Sequence, residues 1–125
     1  MKFDYDKDNL FARLLRGEIP NDTVAESEHT LAFRDIRPQM KEHILVIPKG
    51  AYVSLDDFAA NASEAEIVDF MRLCAKIAKD TGLSVAAGGR GFRAIANSGP
   101  DSLQEVPHFH LHILGGEVAG PLLAR

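Results

Sequence analysis

Residues His108-Phe109-His110-Leu111-His112 set three imidazoles at every second position of an apolar run that continues through Ile113 and Leu114. A β-strand turns alternate side chains to opposite faces. This spacing therefore puts His108, His110 and His112 on one face and buries Phe109, Leu111 and Ile113 on the other. Histidine is the side chain whose unperturbed pKa lies nearest neutrality, so such a row can attack an electrophile, relay protons, hydrogen-bond an anion or ligate a metal. Chance clustering is the bland alternative, although the chain has only His29 and His43 besides these three. Metal ligation suits the pattern poorly, because three alternate histidines on a flat strand strain to surround a small tetrahedral ion and no cysteine stands by to help.

The elements that must position this run can be read from periodicity and punctuation. Asp8 is placed to cap a short helix with apolar positions Leu10, Phe11, Leu14 and Leu15, closed by Gly17 and Pro20. Residues 23–27 and 31–36 read as a hairpin about a Ser27-Glu28-His29 turn, with His29 solvated. Residues 37–42 form a loop around Pro38, and 44–47 an apolar β-branched strand stopped by Pro48. Asp56, Asp57 and Phe58 carry a weak helical signal. Ser63 and Glu66 make a capping box ahead of the main helix, whose apolar stripe is Ile67, Phe70, Met71, Cys74, Ile77 and Ala78 and which ends at Thr81-Gly82. Cys74, lying in that stripe, reads as a small core residue and not as a nucleophile. Gly88-Gly89-Arg90-Gly91 lacks the Lys-Ser/Thr ending of a phosphate loop and reads as a tight turn. Residues 92–96 form a strand, 97–104 a polar loop, and Gly115-Gly116 ends the histidine strand. This order implies an α+β domain with helices packed on one face of an antiparallel sheet.

At 125 residues the chain suits a single domain, residues 1–125, able to bury a core without disulfides or a structural metal. A formal net charge of −4 argues against nucleic acid or an anionic membrane surface as partner. Met1-Lys2-Phe3-Asp4-Tyr5-Asp6 has no signal-peptide character, no run approaches a membrane span, and the lone Cys74 fits a reducing cytoplasm.

The nine residues His108-Phe109-His110-Leu111-His112-Ile113-Leu114-Gly115-Gly116 resemble the signature of the histidine triad (HIT) family of nucleotide hydrolases and transferases. Phe33-Arg34-Asp35-Ile36-Arg37-Pro38-Gln39, His43-Ile44-Leu45-Val46-Ile47-Pro48-Lys49 and Asn97-Ser98-Gly99 resemble further blocks of its small purine-nucleotide-binding branch, in the same order. The resemblance implies a HIT-like fold with an antiparallel sheet of about five strands, one long helix and one or two short ones, and a sheet continued across a homodimer.

It also implies roles. His110 would attack the α-phosphorus of a purine nucleoside phosphoramidate or an adenylated adduct, forming a covalent nucleotidyl-imidazole that water resolves to a nucleoside monophosphate. His112 would donate to phosphate oxygens or assist the leaving group, His108 would act in a relay that orients the strand's imidazoles, and His43, matching the family's fourth histidine, would lie close enough to His108 to extend that relay. Asp35 would accept the ribose hydroxyls, its other reading being a turn former. Phe11, Phe33 and Ile36 would line the base pocket, or belong to the ordinary core. Asn97 would help hold the phosphate, or simply turn the chain, and backbone N–H groups at Gln104 and Glu105 would hold phosphate charge. No cofactor is required for this chemistry. Cleavage of dinucleoside polyphosphates, or a regulatory nucleotide-binding module with little catalysis, are the alternatives.

The chain departs from the pattern in three places. Glu105 stands where one branch carries serine, and is expected to face away or to contact the leaving group. Leu103 replaces a glycine-like residue and is expected to narrow the entrance. The tail, residues 117–125, lacks the tryptophan-containing ending of some members, which leaves substrate selection at the dimer level open.

Overall fold

The computed structural model describes residues 3–123. Its elements are α1 (Leu10–Leu15), β1 (Thr23–Glu26), β2 (Thr30–Arg34), β3 (Glu42–Pro48), α2 (Leu55–Asn61), α3 (Glu64–Asp80), β4 (Phe92–Ala96) and β5 (Leu111–Gly115). The five strands form one antiparallel sheet in the order β1-β2-β3-β5-β4. This is the α+β fold expected. No helix among the described residues is long and apolar enough to cross a membrane.

The register sorts the side chains. Ile44 pairs with Ile113 and Val46 with Leu111, so these share one face with Ala32, and α3 and α2 cover it with Phe70, Leu73, Ile77 and Phe58. Phe109 joins this core, stacked on Phe58 and Phe70 at ring-centroid distances of 5.2 and 5.1 Å. The opposite face carries Leu31, Phe33, Leu45 and Ile47, covered by Phe11 and Leu14 of α1. The helices therefore lie on both faces and not on one. Strands β2 and β3 are buried on both sides, and a six-residue helix suffices to cap the second side.

Local corrections have local causes. Asn9, not Asp8, caps α1, its Oδ1 accepting from the Ala12 amide at 2.9 Å, while Asp8 spends its own amide on Asp6. The capping box of α3 forms as expected. Met71, however, points outward at 61% exposure and Leu73 takes a core place, because α3 rests on the sheet through a narrower stripe than hydrophobicity alone suggests. The weak signal at Asp56-Asp57-Phe58 becomes a seven-residue helix, since Asp57 Oδ2 accepts from the Val53 amide and Phe58 enters the core. At the expected glycine turn, a Cβ on Gly89 would stand 2.1 Å from the Gly82 carbonyl oxygen, so only glycine fits.

One carboxylate ties the hairpin to α3. Asp69 Oδ2 accepts from Ser27 Oγ (2.6 Å), Thr30 Oγ1 (2.8 Å) and the His29 amide (3.1 Å). His29 is accordingly half-buried and its backbone structural. Replacing Asp69 by alanine strands these three donors and is expected to lower unfolding stability by about 2 kcal/mol, read from the urea midpoint at unchanged m-value.

Candidate active site

Residues 108–110 lie just ahead of β5, which begins at Leu111, so the ladder covers less of the histidine run than its alternation implies. The reason is Pro48. Leu111 pairs with Val46, which puts Phe109 opposite Pro48, and proline has no N–H to offer. The Phe109 amide donates instead to the Tyr52 carbonyl at 2.7 Å. Alternation still holds: Phe109, Leu111 and Ile113 enter the main core, and the three imidazoles lie on the other side, His108 and His110 beside Phe11 and His112 beside His110.

Hydrogen-bond partners settle the tautomers. His110 Nδ1 lies 2.7 Å from the His108 carbonyl oxygen, so it carries the proton and Nε2 keeps the lone pair. That nitrogen has no partner among the described residues, yet no side-chain nitrogen or oxygen among them is both sealed from solvent and unbonded, so Nε2 is open to a reactant. His108 is fully buried, its Nε2–H donating to the Pro48 carbonyl at 2.8 Å and its Nδ1 accepting from the Tyr5 hydroxyl at 2.6 Å. A second chain runs separately. The Gln39 amide donates to His43 Nδ1 at 3.0 Å, His43 Nε2–H to His112 Nδ1 at 2.8 Å, and His112 Nε2–H is thereby presented outward, next to His110, with ring centroids 5.0 Å apart. His43 thus joins His112 and not His108. Its register partner is Leu114, which makes His112 its diagonal neighbour on the same face.

Burial keeps the four imidazoles neutral. It pushes His108 down to about 4, with its neighbour His110 adding to the shift, and His112 likewise to about 4, with His110 and His43 adding. His43 is lowered by burial against the pull of Asp35; His110 is lowered by burial against the His108 carbonyl, Asp35 and Glu105. Cys74 is a bystander, its thiol pushed up to about 12 by burial.

The HIT domain family model matches residues 16–119 of this sequence. The chain belongs to the HIT family. An uncharacterized 13.2 kDa HIT-like protein of Azospirillum brasilense is 51% identical over 121 residues, 97% of this chain and 96% of that one. The purine nucleoside phosphoramidase of Escherichia coli is 37% identical over 119 residues, 95% and 96% of the two chains. A histidine triad protein structure from Clostridium difficile superposes with a TM-score of 0.80 at 39% identity, covering 96% of this chain and all of that one.

Around the HIT histidines the other expected residues divide. Asp35 comes to the site, its Oδ2 3.5 Å from His43 Nε2 and its Oδ1 accepting from the Arg37 amide at 2.8 Å. Asp35, His43 and His112 each offer a donor atom within 4.8 Å of the others, a set that could hold a cation, whereas His108 has both nitrogens engaged. Phe11 and Phe33 are closed inside the second core, 5.5 Å apart edge to face, while Ile36 stands 92% exposed in the turn after β2. The three do not form one open pocket, because that turn leaves the sheet before anything can pack on Ile36. Asn97 is half-buried directly after β4.

Gln104 is structural: its side chain donates to the Val53 and Val106 carbonyls and accepts from the Gly99 amide, and its own amide donates to Gly99 O at 3.2 Å. It is therefore not an available phosphate donor, whereas the Glu105 amide makes no such bond among the described residues. The Glu105 side chain is exposed, and its charge reaches His110. Leu103 adopts φ +63°, the left-handed backbone that favours glycine, and is 81% exposed. In the tail, Glu117 accepts from the Lys41 amide and the Pro121 carbonyl from Arg93; Ala124 and Arg125, like Met1 and Lys2, lie outside the described residues. Tyr5 was missed from sequence, since nothing in a tyrosine over 100 positions away marks it as a partner of His108.

The buried imidazoles set a pH dependence. Histidine ordinarily titrates near 6.5, so below that the unfolded chain takes up protons that the folded site refuses until near pH 4. Stability is level above about pH 7 and falls as the pH drops toward 4, by on the order of 3 kcal/mol for His108 alone. Urea midpoints across that range check this, a flat midpoint showing that the imidazoles titrate as in the unfolded chain.

Proposed function

We propose that this HIT protein is a nucleotide hydrolase that cleaves purine nucleoside phosphoramidates, or adenylated adducts, through a covalent nucleotidyl-histidine. The observation that carries this reading is the pairing of an outward lone pair on His110 Nε2 with an outward N–H on His112 Nε2, adjacent and neutral. The similarity to a purine nucleoside phosphoramidase supports the substrate class.

His110 Nε2 attacks the α-phosphorus, and the bond to the leaving nitrogen breaks. The departing amine takes its proton from the solvent side, where Glu105 stands. The imidazole becomes positive as it bonds to phosphorus, and the His108 carbonyl, already accepting from Nδ1–H, stabilises that charge. His112 Nε2–H and the Glu105 amide donate to phosphate oxygens. Water then attacks phosphorus, returns His110 as neutral imidazole and releases the nucleoside monophosphate. Asp35, accepting from the Arg37 amide through Oδ1 and with acceptor capacity to spare, takes the ribose hydroxyls. Ile36, exposed in the turn that carries Asp35, gives the base an apolar surface, and Asn97 assists at the phosphate. No cofactor enters, so turnover is expected to survive chelator treatment. We place the enzyme in the reducing cytoplasm as a homodimer. Among the described residues the outer edge of β4 has no partner strand, Phe92 is half-exposed there, and Val68 and Met71 of α3 face outward, so sedimentation at micromolar concentration is expected to show two chains.

Wild type and His110→Ala, quenched during turnover of an adenosine phosphoramidate and weighed intact, test the mechanism. A nucleotidyl adduct and AMP release from wild type alone are expected, with at least about 10³-fold loss in the variant and AMP binding retained. Binding of AMP by both proteins without turnover would overturn the phosphoramidase reading and favour dinucleotides or a purely binding role.

A further inference from the structure

Tyr5, in the segment ahead of α1, contacts His108 across 103 positions of sequence. His108 Nε2 faces the Pro48 carbonyl and must carry the ring's proton, so Nδ1 is a lone pair and the Tyr5 hydroxyl is the donor, at 2.6 Å. The Tyr5 ring meets His108 edge-on at 5.6 Å, and Phe11 meets it at 6.4 Å, 81° to its plane. The imidazole is therefore fixed by two hydrogen bonds and two aromatic edges.

The segment carrying Tyr5 is itself anchored. The Asn9 amide and Nδ2 both donate to the Asp6 carbonyl, at 3.1 and 2.7 Å, Asn9 Oδ1 caps α1, and Arg16 Nη1 donates to the Lys7 carbonyl at 2.7 Å. The same α1 sets Phe11 perpendicular to the His110 ring at 5.0 Å.

We propose that Tyr5 is a positioning residue of the nucleotidyl-transfer site, holding the His108 ring so that the His108 carbonyl stays aimed at His110 Nδ1–H; this rests on His110 being the nucleophile. Without the hydroxyl, a fully buried lone pair has no donor. The ring then turns or changes tautomer, the Pro48 bond is lost, and the backbone that orients His110 loosens. Tyr5 touches no reacting atom, so its loss slows the chemical step and leaves substrate binding alone.

Tyr5→Phe keeps the aromatic edge and removes only the hydroxyl. Its kcat on an adenosine phosphoramidate is expected to fall about three- to tenfold, with KM changed less than about twofold. In ¹⁵N-histidine spectra of the unliganded protein, His108 Nδ1 is expected to lose the signature of a hydrogen-bonded acceptor and His110 Nδ1–H to shift. An unchanged kcat, or unchanged His110 resonances, overturns the proposal, including when thermal stability alone has fallen. Should wild type not cleave the phosphoramidate at all, the proposed function fails, and the His110 resonance of the variant still decides the role of Tyr5.

Discussion

The hydrogen bond from His110 Nδ1 to the His108 carbonyl is the contact on which the rest of the site depends. A separation of two residues in extended backbone brings the two groups to the same side, so the bond needs no distant partner to form. It fixes which nitrogen keeps its lone pair, and in the proposed attack it supplies an acceptor for the positive charge that develops on the ring. Its precision is borrowed from the core. The His108 amide donates to the Val106 carbonyl and the Phe109 amide to that of Tyr52, while the Phe109 ring packs against both Phe58 and Phe70 on the far side of the chain. Each residue that faces the site is flanked by one that faces the packed interior, and rigidity passes from the second to the first through the backbone they share.

A single four-histidine relay would need mobile protons and exchangeable tautomers, and the geometry has neither. There are two chains, Tyr5-His108-Pro48 on one side and Gln39-His43-His112 on the other, each beginning or ending on backbone or a hydroxyl. The first sets His108 in one tautomer, the second His43 and His112. Their burial costs acid stability, since every one of the four would hold its proton more readily in water. For the proposed attack on phosphorus through a neutral nitrogen that cost has a reason, because a protonated imidazole has no lone pair with which to attack.

Much of this was legible in the sequence where a local rule governs. Alternation about His110, the capping box at Ser63, the stop at Pro48 and the glycine turn at Gly89 follow from backbone geometry alone. The misses fall where tertiary contact decides. Asp8 and Asn9 are equally good caps by type, and only the path of the chain chooses Asn9. Met71 and Leu73 are both apolar on one helix, and the angle of α3 on the sheet buries the second. Pairing His43 with His112 requires the β3–β5 register, which no spacing within either strand reveals. The Gln104 amide, expected to hold phosphate, donates to the Gly99 carbonyl, and three side-chain bonds make the residue the clamp of its own loop.

The site lies where the sheet ends, and the position has a physical reason. Inside an antiparallel ladder a backbone carbonyl is claimed by the neighbouring strand, and a side chain cannot have it. By residue 108 both neighbours of this run have left the ladder, β4 after Ala96, opposite Leu111, and β3 at Pro48. The His108 carbonyl is thus available to an imidazole two residues on. Leu111 to Gly115 remain paired on both sides and hold the direction of the chain. Extending the pairing by one more residue pair would add ladder hydrogen bonds and take away the freedom of the segment that carries His108 and His110. Proline at position 48 does more than end a strand: lacking an N–H, it cannot extend the ladder opposite Phe109, and its own carbonyl is left to receive the His108 proton.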